Sequence, residues 1–130
     1  MDKVEHFEIP ADDTERALKF YTSVFDWQLN PIPGVGYTRL LTIRINKNND
    51  EGISERPFEV NGAILKRNSV VKGPVVTISV ADMDATLEKI SKAGGTIISG
   101  KTEFGKRGYT AYFKDTEGNL MGLWQLRQTG

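Results

Sequence analysis

The chain has 130 residues, of which 38% are apolar and 26% charged, and its 17 Lys+Arg balance 17 Asp+Glu. The absence of cysteine excludes thiol catalysis, Cys-ligated zinc, iron–sulfur clusters and disulfides, and zero net charge with a pI near 6.6 argues against a basic surface for nucleic acid or anionic membranes. A chain of this size removes roughly two-thirds of its unfolded surface from water, enough for one core, so a single domain over residues 1–130 is expected.

Met1 to Glu8 alternates charged with apolar residues and contains no signal-peptide core, and no apolar run is long enough to span a bilayer. The expectation is a soluble cytoplasmic protein. From His6 the chain reads as an extended segment, His6-Phe7-Glu8-Ile9-Pro10. A helix pattern follows, with Ala17, Leu18, Tyr21, Val24 and Phe25 at helical spacing behind Asp12 and Asp13 as candidate caps. Pro31-Ile32-Pro33-Gly34 reads as a turn, Tyr37 to Ile45 and Gly62 to Leu65 as strands, and the Asn-rich stretch Asn46 to Glu55 as a mobile loop. Lys66 to Lys72 reads as a linker.

Beyond it the same order recurs. Val75 to Val80 is extended, Asp82-Met83-Asp84 opens a helix, and Ala85, Leu87, Ile90 and Ala93 follow before Gly94-Gly95 gives a left-handed exit. Thr96 to Ser99, Tyr109 to Lys114 and Leu120 to Gln125 read as strands, and Lys101 to Gly108 as a connecting loop able to act as a basic lid. A shift of 69 residues pairs Phe7 with Val76, Ile9 with Ile78, Asp13 with Asp82, Leu18 with Leu87 and Tyr21 with Ile90. Two β-α-β-β-β modules, about 1–66 and about 73–130, are therefore expected to share one core.

Side chains alternate faces along a strand, so Phe7 and Ile9 on the helix side leave His6, Glu8 and Pro10 on the other. In the second module Val76, Ile78 and Val80 on the helix side leave Val75, Thr77 and Ser79 opposite. His6, Glu8, Thr77 and Ser79 then share a mixed polar face, the composition a ligand cleft needs.

The stretches HFEIPADDTERALKFYTSVFDW (6–27), VVTISVADMDATLEKISKAGG (75–95) and AYFKDTEGNLMGLWQ (111–125) resemble the vicinal oxygen chelate superfamily, which includes glyoxalase I, extradiol dioxygenases and bleomycin-resistance proteins. The resemblance implies an α+β fold in which two tandem βαβββ modules form a U-shaped, eight-stranded mixed sheet around a cleft, with the helices outside. It also implies a divalent metal on the pseudo-twofold axis, held by up to four residues from equivalent strands. His6 falls at the first of these positions, but the others fall at Val75, Gly62 and Gly122, which have no donor side chain. One histidine does not make a metal site, so no metal ligands are assigned and no cofactor is expected. Glu59 or Gln125 enter only if the register moves by a residue.

His6, the sole histidine, and Glu8 are the candidate acid–base residues. An inherited strand histidine and an ordinary half-exposed carboxylate are the plainer readings. Thr77, Ser79, Leu120, Gly122, Trp124 and Gly62 are the candidate ligand-binding residues. Trp124 offers a flat surface for stacking, and the glycines leave space in the cleft. Core packing is the commoner role of a tryptophan. Alternation leaves open which way Tyr37, Arg39, Tyr109 and Tyr112 point.

The leading functional reading is a glyoxalase/bleomycin-resistance-like protein that binds a small organic molecule without the usual metal. Two others stand beside it, a metal-dependent lyase, isomerase or dioxygenase, and a drug-sequestering protein, the last weakened by the neutral charge. Turnover as a lyase or dioxygenase rests on resemblance alone. The partners expected are a small-molecule ligand and a second copy in a homodimer, with neither nucleic acid nor membrane.

Overall fold

The computed structural model describes residues 2–32, 37–41 and 60–127. The predicted loop Asn46 to Glu55, the end of the strand predicted to reach Ile45, the turn residues Pro33 and Gly34, and Glu59 lie outside the described residues.

Among the described residues ten elements follow in the order β1 (Lys3–Ala11), α1 (Thr14–Val24), β2 (Gln28–Ile32), β3 (Tyr37–Leu41), β4 (Asn61–Lys66), β5 (Val75–Ser79), α2 (Met83–Lys92), β6 (Thr96–Phe104), β7 (Gly108–Lys114) and β8 (Leu120–Leu126). This is the βαβββ unit twice. The strands form one eight-stranded sheet in the order β2-β3-β4-β1-β5-β8-β7-β6. β1 and β5 pair antiparallel at its centre, β1–β4 and β5–β8 pair parallel, and the outer pairs are antiparallel, so the sheet is mixed as expected.

Both helices start where a short acid can accept an orphan backbone N–H. Asp13 accepts from Arg16 N at 3.0 Å and Asp82 from Ala85 N at 3.1 Å. α2 has a second support in Gln125, whose side-chain oxygen accepts from Met83 N at 2.7 Å. α2 ends with Gly94 at φ +100° and Gly95 N donating to Ile90 O at 2.9 Å, the left-handed exit expected of that glycine pair.

Among the described residues three clusters hold the fold. Ala11, Leu40 and Ile64 pack under α1 with Ile9, Leu18, Tyr21 and Trp27, and Val80, Met83, Ala111 and Leu123 pack under α2 with Leu87, Ile90 and Phe113. On the opposite face Leu65, Val71 and Val75 pack with Tyr37, Tyr112 and Leu120. The last cluster draws on both modules and on the segment between them.

Two boundaries differ from the sequence reading. The segment read as a turn begins inside β2, whose Gln28–Ile32 pairs with β3; Pro31 concealed it, because proline is tolerated only near sheet edges and β2 is an edge strand. The proposed lid Lys101 to Gly108 is mostly strand, since β6 runs to Phe104 and β7 begins at Gly108. Register shifts between Ile97 and Thr102 break the alternation that would have shown a nine-residue strand. Among the described residues no helix is long and apolar enough to cross a membrane.

Candidate functional site

The face of the sheet away from the helices is built from alternate residues of the central strands. In β1 these are His6, Glu8 and Pro10, because Phe7 lies toward Trp27 and Ile9 and Ala11 pack under α1. Ladder partners carry the same face across the sheet. His6 pairs with Asn61 and Thr77, Glu8 with Ala63 and Val75, and Thr77 with Gly122.

Glu8 is the pivot of this face. It is only 3% exposed, and both carboxylate oxygens are occupied by tyrosine hydroxyls, Tyr37 Oη donating to Oε2 and Tyr112 Oη to Oε1 at 2.6 Å. A buried carboxylate is costly unless hydrogen-bonded, and these donors come from β3 of one module and β7 of the other. Burial, then the neighbouring Glu8 charge and its hydrogen bond, raise both phenol pKa values well above the ordinary tyrosine range. The hydroxyls thus remain protonated donors. His6 is pushed the other way, down to about 4, first by burial and then by the Arg39 guanidinium. Its imidazole is therefore neutral at pH 7, able to donate at one nitrogen and accept at the other.

An aromatic line closes over these groups. Phe104 meets Tyr37 edge-on at 5.1 Å between centroids and Trp124 edge-on at 5.9 Å. Tyr37 is on β3 and Phe104 on β6, the edge strand at the far end of the sheet, so the sheet curls until its two sides touch. Trp124 also lies against Gly108, where an added Cβ would come within 3.0 Å of the indole.

The candidate residues divide. His6, Glu8, Thr77 and Gly122 come together at the centre of this face, with Ser79 and Trp124, themselves ladder partners, one step further along. Glu8, Thr77 and Ser79 are buried polar residues, so Glu8 is not the half-exposed carboxylate of the plainer reading. Leu120 shares the face but is packed against Val71, Val75 and Leu65; the linker fills that end of the cleft. Gly62 does not belong to the site. A Cβ on it would lie 2.2 Å from the Phe7 ring, on the helix side with Ile64, and Ala63 is the residue facing the cleft.

Sequence reasoning left the facing of Tyr37 and Tyr112 open and did not single out Phe104. For Tyr112 a signal was present, since Tyr109, Ala111 and Phe113 form the more apolar alternate set of β7 and pack under α2, leaving Tyr112 opposite. Tyr109 accordingly lies outside the cleft, under Lys101 and Arg127.

The pseudo-twofold axis passes through the Phe7–Val76 pair, and the 69-residue shift maps one onto the other. The symmetric ring around it on the cleft face is His6, Ala63, Val75 and Gly122. Only His6 has a donor side chain, and Glu8 beside it is held by two phenols. These residues do not fit a divalent ion bound on the axis, which needs three or more protein ligands. Among the described residues no group of three or more His, Asp or Glu side chains is placed to hold a metal.

Comparison with known proteins agrees with the architecture. The family profile of the Glyoxalase/Bleomycin resistance protein/Dioxygenase superfamily matches residues 3–123. A glyoxylase-like domain-containing protein of Didymella fabae is 34% identical over 123 residues, covering 93% of this chain and 91% of that one. A putative glyoxylase, CFP32, of Mycobacterium tuberculosis is 29% identical over 93% of this chain, which spans 44% of its length. Among solved structures, methylmalonyl-CoA epimerase from Mycobacterium tuberculosis superposes with a TM-score of 0.60 at 14% identity, covering 96% of this chain and 88% of the epimerase. A member of the same superfamily from Vibrio splendidus gives a TM-score of 0.58 at 11% identity, covering 94% and 97% of the two chains.

Proposed function

The chain belongs to the glyoxalase/bleomycin resistance protein/dioxygenase superfamily, and from that premise we propose that it binds a small organic molecule in the cleft through hydrogen bonds and aromatic contact, without a metal on the axis. The observation that carries this reading is the ring of His6, Ala63, Val75 and Gly122, with one donor among four positions. Polar recognition falls to the neutral His6 imidazole and the Thr77 and Ser79 hydroxyls, and apolar contact to Trp124 and Phe104. Of the four ring positions only Gly122 lacks a Cβ, and this keeps the Thr77 hydroxyl uncrowded. Glu8 acts through its tyrosines, fixing the walls of the cleft.

Two measurements test it together. Protein purified without chelator is assayed for metal and titrated with Ni, Zn, Mn and Fe ions, and 8-anilinonaphthalene-1-sulfonate is titrated against the fluorescence of a Trp27→Phe variant, in which only Trp124 reports. Saturable quenching without stoichiometric metal is expected. Gly122→Ala, whose new Cβ would stand 2.7 Å from Thr77 Oγ1, should weaken it about tenfold, a loss near 1.4 kcal/mol. A flat titration overturns the binding reading. Stoichiometric metal lost in His6→Ala, with turnover of a glutathione hemithioacetal or a catechol, replaces it with the metal-dependent enzyme.

A further inference from the structure

Ladder partners point to the same side of a sheet, and this locates the charged side chains on the cleft side of the described strands. Leu40 packs under α1, so Tyr37 and Arg39 of β3 point the other way. Arg39 pairs with Ala63, and Ala63 with Glu8, which places Arg39 in the row that crosses the middle of the cleft. Its charge is felt at His6, where it adds to burial in lowering the imidazole pKa. Two lysines share the face but stand at its ends. Lys3 pairs with Ser79 and is bound to Glu5 at 3.7 Å, and Lys114 pairs with Leu120 and is exposed.

Glu8 is the acid of the middle row, and it is already engaged. Both of its oxygens accept tyrosine hydroxyls, and among the described residues no acid is ion-paired with Arg39. A guanidinium carries five N–H donors and no acceptor. The neutral His6 imidazole and the Thr77 and Ser79 hydroxyls near it can donate as well. The face has thus used its strongest acceptor internally, and it offers a ligand donors and a central positive charge.

Arg39 is half-buried, so a ligand that covers it decides the state of that charge. A cation would meet it with repulsion, and a neutral group would take water from it without returning a full partner. An anion restores what desolvation removes. The planar fork of the guanidinium matches the two oxygens of a carboxylate, and the Phe104 and Trp124 rings suit a flat apolar body behind it. We infer that the cleft takes a small organic carboxylate whose anionic group is held by Arg39, which makes Arg39 the residue that selects the ligand class. This rests on the cleft-binding reading above and narrows it to one chemistry.

Isothermal titration calorimetry of the full chain with trans-cinnamate, cinnamamide and cinnamylammonium, which share one flat body and differ in charge, tests it. Cinnamate should bind about tenfold more tightly than cinnamamide, and cinnamylammonium more weakly than either. Arg39→Gln should bring the cinnamate to cinnamamide ratio to about one with cinnamamide affinity unchanged, whereas Lys114→Gln, at the end of the face, should keep the ratio. Equal binding of the three, or tighter binding of the cation, overturns the inference, as does a folded Arg39→Gln variant that keeps the preference. Should that variant not fold, the wild type gives a second readout: cinnamate should slow phenylglyoxal modification of Arg39, followed by peptide mass mapping, and cinnamamide should not. Equal effects of the two overturn the assignment to Arg39. Failure of both cinnamyl compounds to bind while 8-anilinonaphthalene-1-sulfonate still binds overturns the carboxylate class alone, and failure of all of them overturns the cleft-binding reading with it.

Discussion

At the scale of single residues, one face of the sheet tunes His6 and the two tyrosines around Glu8 in different ways. Glu8 accepts hydrogen bonds from both phenols, and His6 loses its charge to burial and to Arg39. The pH consequences have opposite directions. His6 has a folded pKa of about 4, below the ordinary 6.5, so the native state binds fewer protons than the unfolded chain. The stability this contributes is complete above pH 6.5 and is lost as pH falls toward 4. Tyr37 and Tyr112 have raised folded pKa values, so their contribution is complete below about pH 10, the unfolded value, and is lost as pH rises beyond it. Since His6 is the sole histidine, its single imidazole Cε1–H resonance should titrate with a midpoint near 4. A midpoint near 6.5 would show an exposed ring. Of the four tyrosines, Tyr37 and Tyr112 should resist ionisation at 295 nm until the protein unfolds in alkali. Tyr112→Phe, which leaves the buried carboxylate with one donor fewer, should cost roughly 1.5–3 kcal/mol in denaturant unfolding.

At the scale of elements, what could be read from the sequence is what neighbouring residues decide. The repeat, the acid caps of both helices, the glycine exit of α2 and the cleft-facing set His6, Glu8, Thr77 and Ser79 follow from spacing and alternation, and the structure has them. Gly62 was misplaced by one residue because a glycine has no side chain to report its face, and it was the bulk of Phe7 that required one there. Residues 8, 37 and 112 carry no local sign that they meet, because their meeting depends on how far the sheet curls. Gln125 belongs to the same class of hidden contact. Beyond Asp82, α2 depends on this residue 42 positions from Met83 in sequence, whose oxygen accepts an N–H in a part-buried place. Gln125→Ala should therefore cost about 1–3 kcal/mol, the penalty of a buried donor left without a partner, whereas Asp82→Ala at an exposed cap should cost about 1 kcal/mol. Urea unfolding of the two variants gives the order, and a Gln125 variant less damaging than the Asp82 variant would show that the remote cap is dispensable.

At the scale of the whole molecule, the question is whether two modules with separate helix-side clusters unfold separately. Three features bind them. β1 and β5 pair through the centre of the sheet, the cleft-side cluster takes Leu65 and Tyr37 from one module and Val75, Tyr112 and Leu120 from the other, and Glu8 receives hydroxyls from both. A module alone would expose the long edge of its central strand and half of the cleft-side cluster, and about 60 residues with one helix bury too little apolar surface to stand without a partner. A single cooperative transition is therefore expected. Each module contains one tryptophan, Trp27 in the first and Trp124 in the second, so Trp27→Phe and Trp124→Phe leave fluorophores that report on opposite halves. Leu123→Ala, which removes a buried side chain from the cluster under α2 alone, should lower stability by about 2–5 kcal/mol. Placed in both tryptophan backgrounds, it should move both midpoints by the same amount. A displaced Trp124 transition beside an unmoved Trp27 transition would mean that the modules fold independently and that the shared cluster and the Glu8 tie do not couple them.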